Sequence, residues 1–147
     1  MSGTILEFGH RISDRVYTPR PAAYAVVTGP TRHVAILRTL KGCFLPGGGV
    51  EPGEDAEQAL AREVREECGR DVHILQRIGE ATEYVEDAAK GNLAVHGVFF
   101  HAAFAGDHAF PHEKDHELQW ASAEDARNLL TRESHQWAVS RAFAGWL

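Results

Sequence analysis

Three glutamates at helical spacing, Glu63, Glu66 and Glu67, are the side chains of this sequence with the clearest chemical potential. Positions i, i+3 and i+4 of a helix fall within an arc of about 100° on one face. Like charges at this spacing repel each other and destabilise an isolated helix. A cation held between the carboxylates would remove that repulsion. Oxygen donors of this kind suit Mg²⁺ or Mn²⁺, which also coordinate water and phosphate oxygens.

The helix that must carry these glutamates is predicted over residues 55–68. Glu54 or Asp55 can cap its start, and Gly69 stands where a left-handed residue ends many helices. An apolar stripe recurs at i, i+4 and i+8, formed by Leu60, Val64 and Cys68. Because this stripe lies beside the glutamates without overlapping them, one flank of the helix can pack on a sheet while the other faces a cleft.

Apolar runs on either side of this helix predict strands. They cover residues 21–28, 33–40, 72–85 (one strand, or two joined at Gly79), 93–105 and 118–121, with a short edge strand near residues 5–8. The first two are predicted to form a hairpin, and the very apolar run 93–105 is predicted to be central. Helices are predicted over residues 122–130 and 133–146. This order predicts an α/β or α+β protein with helices packed on a mixed sheet.

Composition limits the class of protein. The chain has 147 residues, 44% of them hydrophobic, which predicts one domain spanning residues 1–147. Its net charge of −6 argues against a nucleic-acid polymer as partner, since such surfaces are usually basic. Two cysteines without a CxxC pattern favour reduced thiols in a cytoplasmic protein. No apolar run is long enough to span a membrane, and no signal peptide is recognisable.

The glycine turn and the acidic helix together form a pattern, G-x5-E-x7-R-E-U-x-E-E-x-G-U with U aliphatic, that resembles the Nudix box. The positions that carry the resemblance are Gly48, Glu54, Arg62, Glu63, Val64, Glu66, Glu67 and Gly69. The one departure in this box, which covers residues 48–70, is Arg70 in place of an aliphatic residue. Val72 is expected to take over the packing role of that residue.

This resemblance implies a Nudix α/β/α sandwich and a MutT-like, Mg²⁺-dependent pyrophosphohydrolase. The implied substrate is a nucleoside triphosphate or a related nucleoside diphosphate derivative, cleaved at its diphosphate linkage. Glu66 and Glu67 are the implied main ligands of Mg²⁺ or Mn²⁺, and Glu63 is a third ligand or orients the attacking water. Arg62 is expected to hold the glutamates in place, and Glu54 to support the loop or bind metal through water.

Substrate contacts are predicted around the glycine turn. Gly47, Gly48 and Gly49 let the backbone approach a ligand closely. Arg38 and Lys41 precede the turn and could neutralise phosphate charge; the alternative is an outward-facing strand residue and a turn lysine. Aromatic residues that could stack on a base, but are more typical of a core, are Tyr24, Phe44, Tyr84, Phe99 and Phe100.

A general base is predicted in the charged segment before the last strand. Glu113 is the first candidate and Glu117 the second, with a box glutamate as a further alternative and a simply solvated loop as the plain one. Three histidines at positions 108, 112 and 116 imitate a zinc site. The surrounding glycine, proline and charges disfavour that reading, and a histidine could instead act as the base.

Other activities are compatible with the same box. A nucleoside diphosphate sugar hydrolase and a dinucleoside polyphosphate hydrolase are the alternative enzymes. A non-catalytic nucleotide-binding module is the alternative of another class, and retention of every box glutamate argues against it. The expected partner is a small nucleotide. Homodimers are common in the family, although the sequence identifies no interface.

Overall fold

Eight strands and three helices follow one another in the computed structural model, which describes residues 5–106 and 109–144. The strands are β1 (Leu6–Phe8), β2 (Thr18–Val27), β3 (Val34–Thr39), β4 (Gly42–Phe44), β5 (Gly47–Gly49), β6 (Asp71–Asp87), β7 (Gly91–Ala105) and β8 (Glu117–Ala121). The helices are α1 (Ala56–Cys68), α2 (Ala123–Leu129) and α3 (Glu133–Phe143). The predicted elements are therefore present. Trp146, which closed the predicted last helix, lies outside the described residues.

The strands form two sheets. A five-stranded mixed sheet has the order β1-β6-β7-β2-β5, with β1–β6 and β2–β7 parallel and the other two pairs antiparallel. A three-stranded antiparallel sheet has the order β4-β3-β8. The apolar strand β7 lies in the middle of the larger sheet, as predicted. β6 is one continuous strand, and register shifts occur between Ile74 and Gln76 and between Arg77 and Gly79.

The predicted hairpin between the first two long strands is wrong. β2 pairs with β7 and β5, whereas β3 belongs to the smaller sheet, and a single isolated bridge joins Thr28 to Val34. Both strands are buried on their two faces, so their apolar runs carry no information about which strand lies alongside. The Gly29–Pro30 turn thus moves the chain from one sheet to the other and does not fold it back on the same sheet.

Alternate side chains of β3 face two different cores, which explains its unbroken apolar run. Ala35 and Leu37 belong to a core that includes Leu60 and Val64 of α1. The opposite core contains residues of β3, α2 and α3, among them Val34, Ile36, Ala126, Leu130, Ala138 and Val139. With α1 on one side and α2 and α3 on the other, the predicted α/β/α arrangement is confirmed. No helix among residues 5–106 and 109–144 is long and apolar enough to cross a membrane.

His135 of α3 is a fully buried histidine that the sequence did not single out. Its Nδ1 accepts a hydrogen bond of 3.1 Å from the Leu45 N–H, so the ring is held as a neutral acceptor. The rings of Tyr24, Phe44 and Phe99 surround it, with centroids 4.4–6.1 Å away. Burial, with a smaller effect of the Arg132 charge, lowers the pKa of His135 from 6.5 to about 3.

This histidine makes a sharp prediction for stability against pH. Between pH 6.5 and 3 the unfolded chain binds a proton that the folded chain excludes. The contribution of His135 to the free energy of unfolding is therefore complete above pH 6.5 and is lost as the pH falls. We expect wild type to lose about 2 kcal/mol more than His135→Asn between pH 7 and 5 in urea unfolding. Asn can retain the acceptor for Leu45, and parallel pH curves for the two proteins would contradict the prediction.

Candidate active site

Helix α1 presents its glutamates from a frame with defined ends. Asp55 Oδ1 accepts a 2.8 Å hydrogen bond from Gln58 N, and Gln58 Oε1 accepts a 2.9 Å bond from Asp55 N, which together form a capping box. Gly69 ends the helix in the left-handed conformation, with φ 65° and its N–H bonded to Arg65 O. The predicted stripe of Leu60, Val64 and Cys68 is buried. The rotation of the helix about its axis is thereby set.

The glycine turn of β5 lies directly against two of these glutamates. Gly47 N–H donates a 2.9 Å hydrogen bond to Glu67 Oε1. A Cβ placed on Gly48 would lie 2.7 Å from the carboxyl carbon of Glu63, so a side chain at this position would displace that carboxylate. Glu67 itself is only 9% exposed. The glutamates of this helix face therefore differ in exposure, because Glu67 is buried beneath the turn whereas Glu66 is exposed.

Negative charge accumulates around Glu67. Burial raises the pKa of this carboxyl to about 9, the Gly47 N–H opposes the shift, and the charges of Glu63, Glu113 and Glu66 add to it. Burial also raises the pKa of Glu63, although Arg62 counteracts it. A desolvated carboxylate next to others of like charge is typical of a functional site. A bound cation would remove the repulsion between these charges.

Arg62 holds this acidic cluster together. Its Nε and Nη2 donate to both carboxylate oxygens of Glu54 at 2.7 and 2.9 Å. Nη1 donates to Glu63 at 2.9 Å and lies 3.5 Å from Glu66, and Nη2 also reaches Gly49 O at 2.9 Å. The hydrogen bonds from Arg62 lower the pKa of Glu54 to about 2. These contacts fit the predicted role of Arg62, which is to hold the glutamates in place, and that role stays a prediction.

The donor set fits a hard divalent cation by its chemistry. Glu63, Glu66 and Glu67 offer carboxylate oxygens, the ligands that Mg²⁺ and Mn²⁺ prefer. Across the described residues, however, no three His, Cys, Asp or Glu side chains converge as a ready-made metal site. The fit therefore rests on oxygen donors and on the crowding of carboxyl groups around Glu67, and not on a preformed ligand geometry.

A cleft of about 190 Å³ opens beside Glu67. It is lined by Tyr24, Leu37, Thr39, Lys41, Phe44, Leu45, Gly47, Glu67, His116 and Arg132. Lys41 and Arg132 bring two cations to its rim, and the Arg132 Cζ lies 5.3 Å from the ring centroid of Phe44. The cleft thus combines an acidic end, cationic groups and aromatic walls.

Of the aromatic residues proposed for base stacking, two reach this cleft. Tyr24 and Phe44 line it. Phe99 and Phe100 are 1% and 4% exposed and belong to the two cores, and Tyr84 of β6 is not part of the lining. The general expectation that most of these rings pack in the interior therefore holds for Phe99 and Phe100.

Arg132 is the charged residue of the cleft lining that sequence reasoning missed. It precedes α3, whose first two N–H groups, those of Glu133 and Ser134, donate to the buried Glu83 carboxylate at 3.2 and 2.8 Å. Glu83 of β6 thus caps α3 across the fold and sets the place of Arg132. The partner is about 50 residues away in the chain, so no local pattern marks this arginine as a cleft residue.

The structure does not bring Arg38 or Glu117 to the cleft. They stand directly opposite each other across β3 and β8, and both are exposed. Leu37 and Thr39 line the cleft, and successive strand residues point to opposite faces, so Arg38 and its partner Glu117 face away. For Arg38, the alternative reading of an outward strand charge describes the geometry, while Lys41 does reach the cleft.

Glu113 and His116 are brought to the acidic cluster. Glu113 N–H donates a 2.9 Å hydrogen bond to Glu66 O. His116 Nδ1 lies 2.9 Å from Glu113 Oε2 without hydrogen-bond alignment, and His116 Nε2 lies 3.9 Å from Glu67 Oε2. Of the three histidines of the zinc alternative, His108 lies outside the described residues. Within the described part of the chain the other two join no metal-binding group.

Gly47 leads to a prediction about the turn itself. Its φ is 138°, and a Cβ there would lie 2.1 Å from the Ala23 carbonyl oxygen. Gly47→Ala is expected to lower the free energy of unfolding by about 3 kcal/mol or more, because it adds overlap with rigid backbone to backbone strain. Gly91→Ala is the matched control, since φ is 84° and nothing lies within 4 Å, leaving a cost of about 1–2 kcal/mol. Equal losses in chemical denaturation would contradict the steric argument.

Known proteins resemble this chain in sequence and in fold. The family model described as NUDIX domain matches residues 18–143. The NAD-capped RNA hydrolase NudC of Stutzerimonas stutzeri is 35% identical over 113 residues, which are 71% of this chain and 38% of that protein. The chain therefore spans well under half the length of that relative. The nucleoside triphosphatase NudI of Escherichia fergusonii is 34% identical over 101 residues, 61% of this chain and 71% of that protein.

A solved structure shows the same fold. The NUDIX hydrolase from Nitrosomonas europaea superposes with a TM-score of 0.70 at 19% identity, covering 87% of this chain and 90% of that one. The family match covers most of the chain, including the glycine turn, α1 and the 109–116 segment. The chain belongs to the Nudix family.

Proposed function

We propose that the protein is a Mg²⁺-dependent pyrophosphohydrolase that cleaves the diphosphate linkage of a nucleoside triphosphate or a related nucleoside diphosphate derivative. The observation that carries the proposal is the contact between cleft and acidic cluster, since Glu67 belongs to both. A phosphate chain bound at the acidic end would leave the attached nucleoside facing Tyr24 and Phe44. Nucleoside triphosphates come first because of the similarity to the nucleoside triphosphatase NudI.

Charge compensation in the cleft supports a phosphorylated substrate. Lys41 and Arg132 are cations at the rim, and both can donate hydrogen bonds to phosphate oxygens. Arg132 also lies over the Phe44 ring, and its guanidinium group could make the same cation–π contact with a nucleoside base bound beside that ring. The glycines at positions 47–49 have no side chains, so a substrate can approach the backbone closely beside Glu63 and Glu67.

Each acidic residue has a proposed task. Glu63, Glu66 and Glu67 would hold the cation, which when bound neutralises diphosphate charge and lowers the pKa of a coordinated water. Arg62 keeps Glu54 and Glu63 oriented through three hydrogen bonds of 2.7–2.9 Å and holds the glycine turn through a fourth, to Gly49 O. Glu113 would accept the proton of the attacking water, and His116 lies between it and Glu67.

A substrate panel with product identification tests this function. Purified protein is incubated with Mg²⁺ and each of the nucleoside triphosphates, a nucleoside diphosphate sugar, a dinucleoside polyphosphate, NAD and an NAD-capped RNA. Products are separated by ion-exchange chromatography. We expect Mg²⁺-dependent cleavage of a triphosphate to a monophosphate and pyrophosphate, abolished by EDTA. Preferred cleavage of a sugar or dinucleoside substrate would move the assignment to that alternative, and inertness on the whole panel would contradict it.

The same proposal includes a single domain over residues 1–147, a cytoplasmic setting and small-molecule rather than polymeric substrates. Both cysteines are buried, 8% exposed, and unpaired, as expected of reduced thiols. A single cooperative unfolding transition is expected for one domain. Sedimentation velocity reports whether the protein forms the homodimer that is common in the family.

A further inference from the structure

Residues 109–116, here called the base segment, dock on the C-terminal end of α1. Phe110 N–H donates a 2.7 Å hydrogen bond to Gly69 O, and Glu113 N–H donates a 2.9 Å bond to Glu66 O. The last carbonyls of a helix have no partner inside the helix. The base segment supplies a partner to one of them, Glu66 O, and another to the carbonyl of the capping Gly69, and is thereby tied to the turn of α1 that carries the glutamates.

One arginine touches the base segment, and a second fixes the chain just before it. Arg65 Cζ lies 3.8 Å from the ring centroid of Phe110 in the base segment. Arg70 Cζ lies 4.8 Å from the Phe104 centroid, and its Nη2 donates a 3.0 Å hydrogen bond to Gly106 O at the end of β7. Arg70 is the one departure from the Nudix box. It therefore links the helix exit to the strand end and does not contribute the expected aliphatic packing.

Gly69 permits this close docking. A Cβ there would lie 2.2 Å from the Phe110 carbonyl oxygen and 3.1 Å from His112 Nδ1. The glycine thus ends the helix and also makes room for the base segment. Most side chains of the base segment are exposed, with Phe110 and His116 the half-buried exceptions. With so little apolar burial, the described contacts with α1 are a major part of what orders it.

The geometry points to Arg65, through its contact with Phe110, and Arg70, through its hydrogen bond to Gly106 three residues before the base segment, as positioning residues that keep Glu113 and His116 against the acidic cluster. This inference rests on the proposed function, because position matters for turnover only if Glu113 or His116 serves the reaction. Misplacement of a reacting group by about 1 Å can cost about 10²-fold in rate, whereas substrate binding in the cleft would be little affected. Loss of either arginine is therefore predicted to lower kcat and to leave KM unchanged.

The kinetic arm uses Arg65→Met and Arg70→Leu, the second of which restores the aliphatic residue of the box. With the best substrate of the panel, each is expected to lower kcat by about 10- to 100-fold with KM within about twofold. Arg65→Lys keeps a cation near Phe110 and is expected to retain most of the activity. Arg141→Met, an exposed arginine of α3, is the matched control and is expected to match wild type.

A second experiment measures how firmly the base segment is docked on α1 and does not depend on enzymatic activity. Trypsin cleavage after Lys114 and amide hydrogen exchange at Phe110 and Glu113 are measured on the metal-free full-length chain. The Met and Leu variants are expected to be cut at least about tenfold faster at Lys114, with unchanged exchange over residues 91–98 of β7, away from the Arg70 contacts at Phe104 and Gly106. If wild type hydrolyses nothing on the panel, the proposed function fails while this arm still reports on docking.

The inference is overturned by any of three results. Unchanged cleavage and exchange in Arg65→Met and Arg70→Leu would mean that these arginines do not hold the base segment. Faster cleavage with kcat at the wild-type value would mean that docking has no catalytic purpose. A fall in kcat without faster cleavage would assign the arginines another role.

Discussion

Replacing Glu67 with glutamine is expected to lower kcat by at least about 10²-fold. The proposed cation stabilises the charge of the transition state by several kcal/mol, and the variant lacks one of its proposed ligands. The fold should not suffer. The amide oxygen of Gln can still accept the Gly47 N–H hydrogen bond, and the change removes a buried ionisable group whose pKa is raised to about 9. The melting temperature in EDTA is therefore expected to equal or exceed that of wild type.

The measurement pairs initial rates over a range of Mg²⁺ concentrations with thermal unfolding. Glu57→Gln is the matched control, because Glu57 is exposed in the first turn of the same helix. It is expected to retain wild-type kcat. Full activity of Glu67→Gln would show that Glu67 is not a required ligand, and a large loss of stability would show that the Gly47 contact needs the carboxylate.

Glu113→Gln is expected to lower kcat by about 10²- to 10⁴-fold if Glu113 is the general base. The structure favours it because its backbone is bonded to Glu66 and its carboxylate lies beside His116 at the cleft. The variant should also lose the limb of the pH–rate profile that belongs to the base. Stopped-time product assays from pH 5 to 10 give both quantities.

Glu117→Gln is the natural comparison for that experiment. Glu117 opposes Arg38 on the face of the small sheet that points away from the cleft, so its replacement is expected to change kcat by no more than about twofold. A loss of activity in Glu117→Gln alone would reverse the order of the candidates. A Glu113→Gln enzyme with the wild-type pH profile would move the base to a box glutamate or to a histidine.

Helix α1 was predictable because everything that specifies it is local. The cap at Asp55, the stripe of Leu60, Val64 and Cys68, and the left-handed Gly69 are encoded within a few residues of where they act. Helical hydrogen bonds link residues four apart, so a sequence window of this size contains the whole unit. The same periodicity of 3.6 residues per turn fixes where Arg62 and the glutamates lie around the helix axis.

Strand pairing could not be read in the same way. β2 and β3 are adjacent in the chain yet lie in different sheets, and β2 pairs with β7, about 75 positions later. A strand buried on both faces has an unbroken apolar run, which identifies no partner. The missed Arg132 and the misplaced Arg38 have the same origin, because each depends on which strand or helix lies beside it.

The amino-acid pattern alone therefore predicted the family and the reaction class that it implies, since the box glutamates, Arg62 and the glycines stand at short, fixed spacings along one helix and its turn. The tertiary structure set the surroundings of that helix. Glu67 is buried beneath Gly47, and residues 109–116 dock on α1. Arg132 reaches the cleft because Glu83 caps the helix that follows it. Those features join segments about 20 to 50 residues apart. Long-range contacts of this kind arise from packing and desolvation, which no short stretch of sequence encodes.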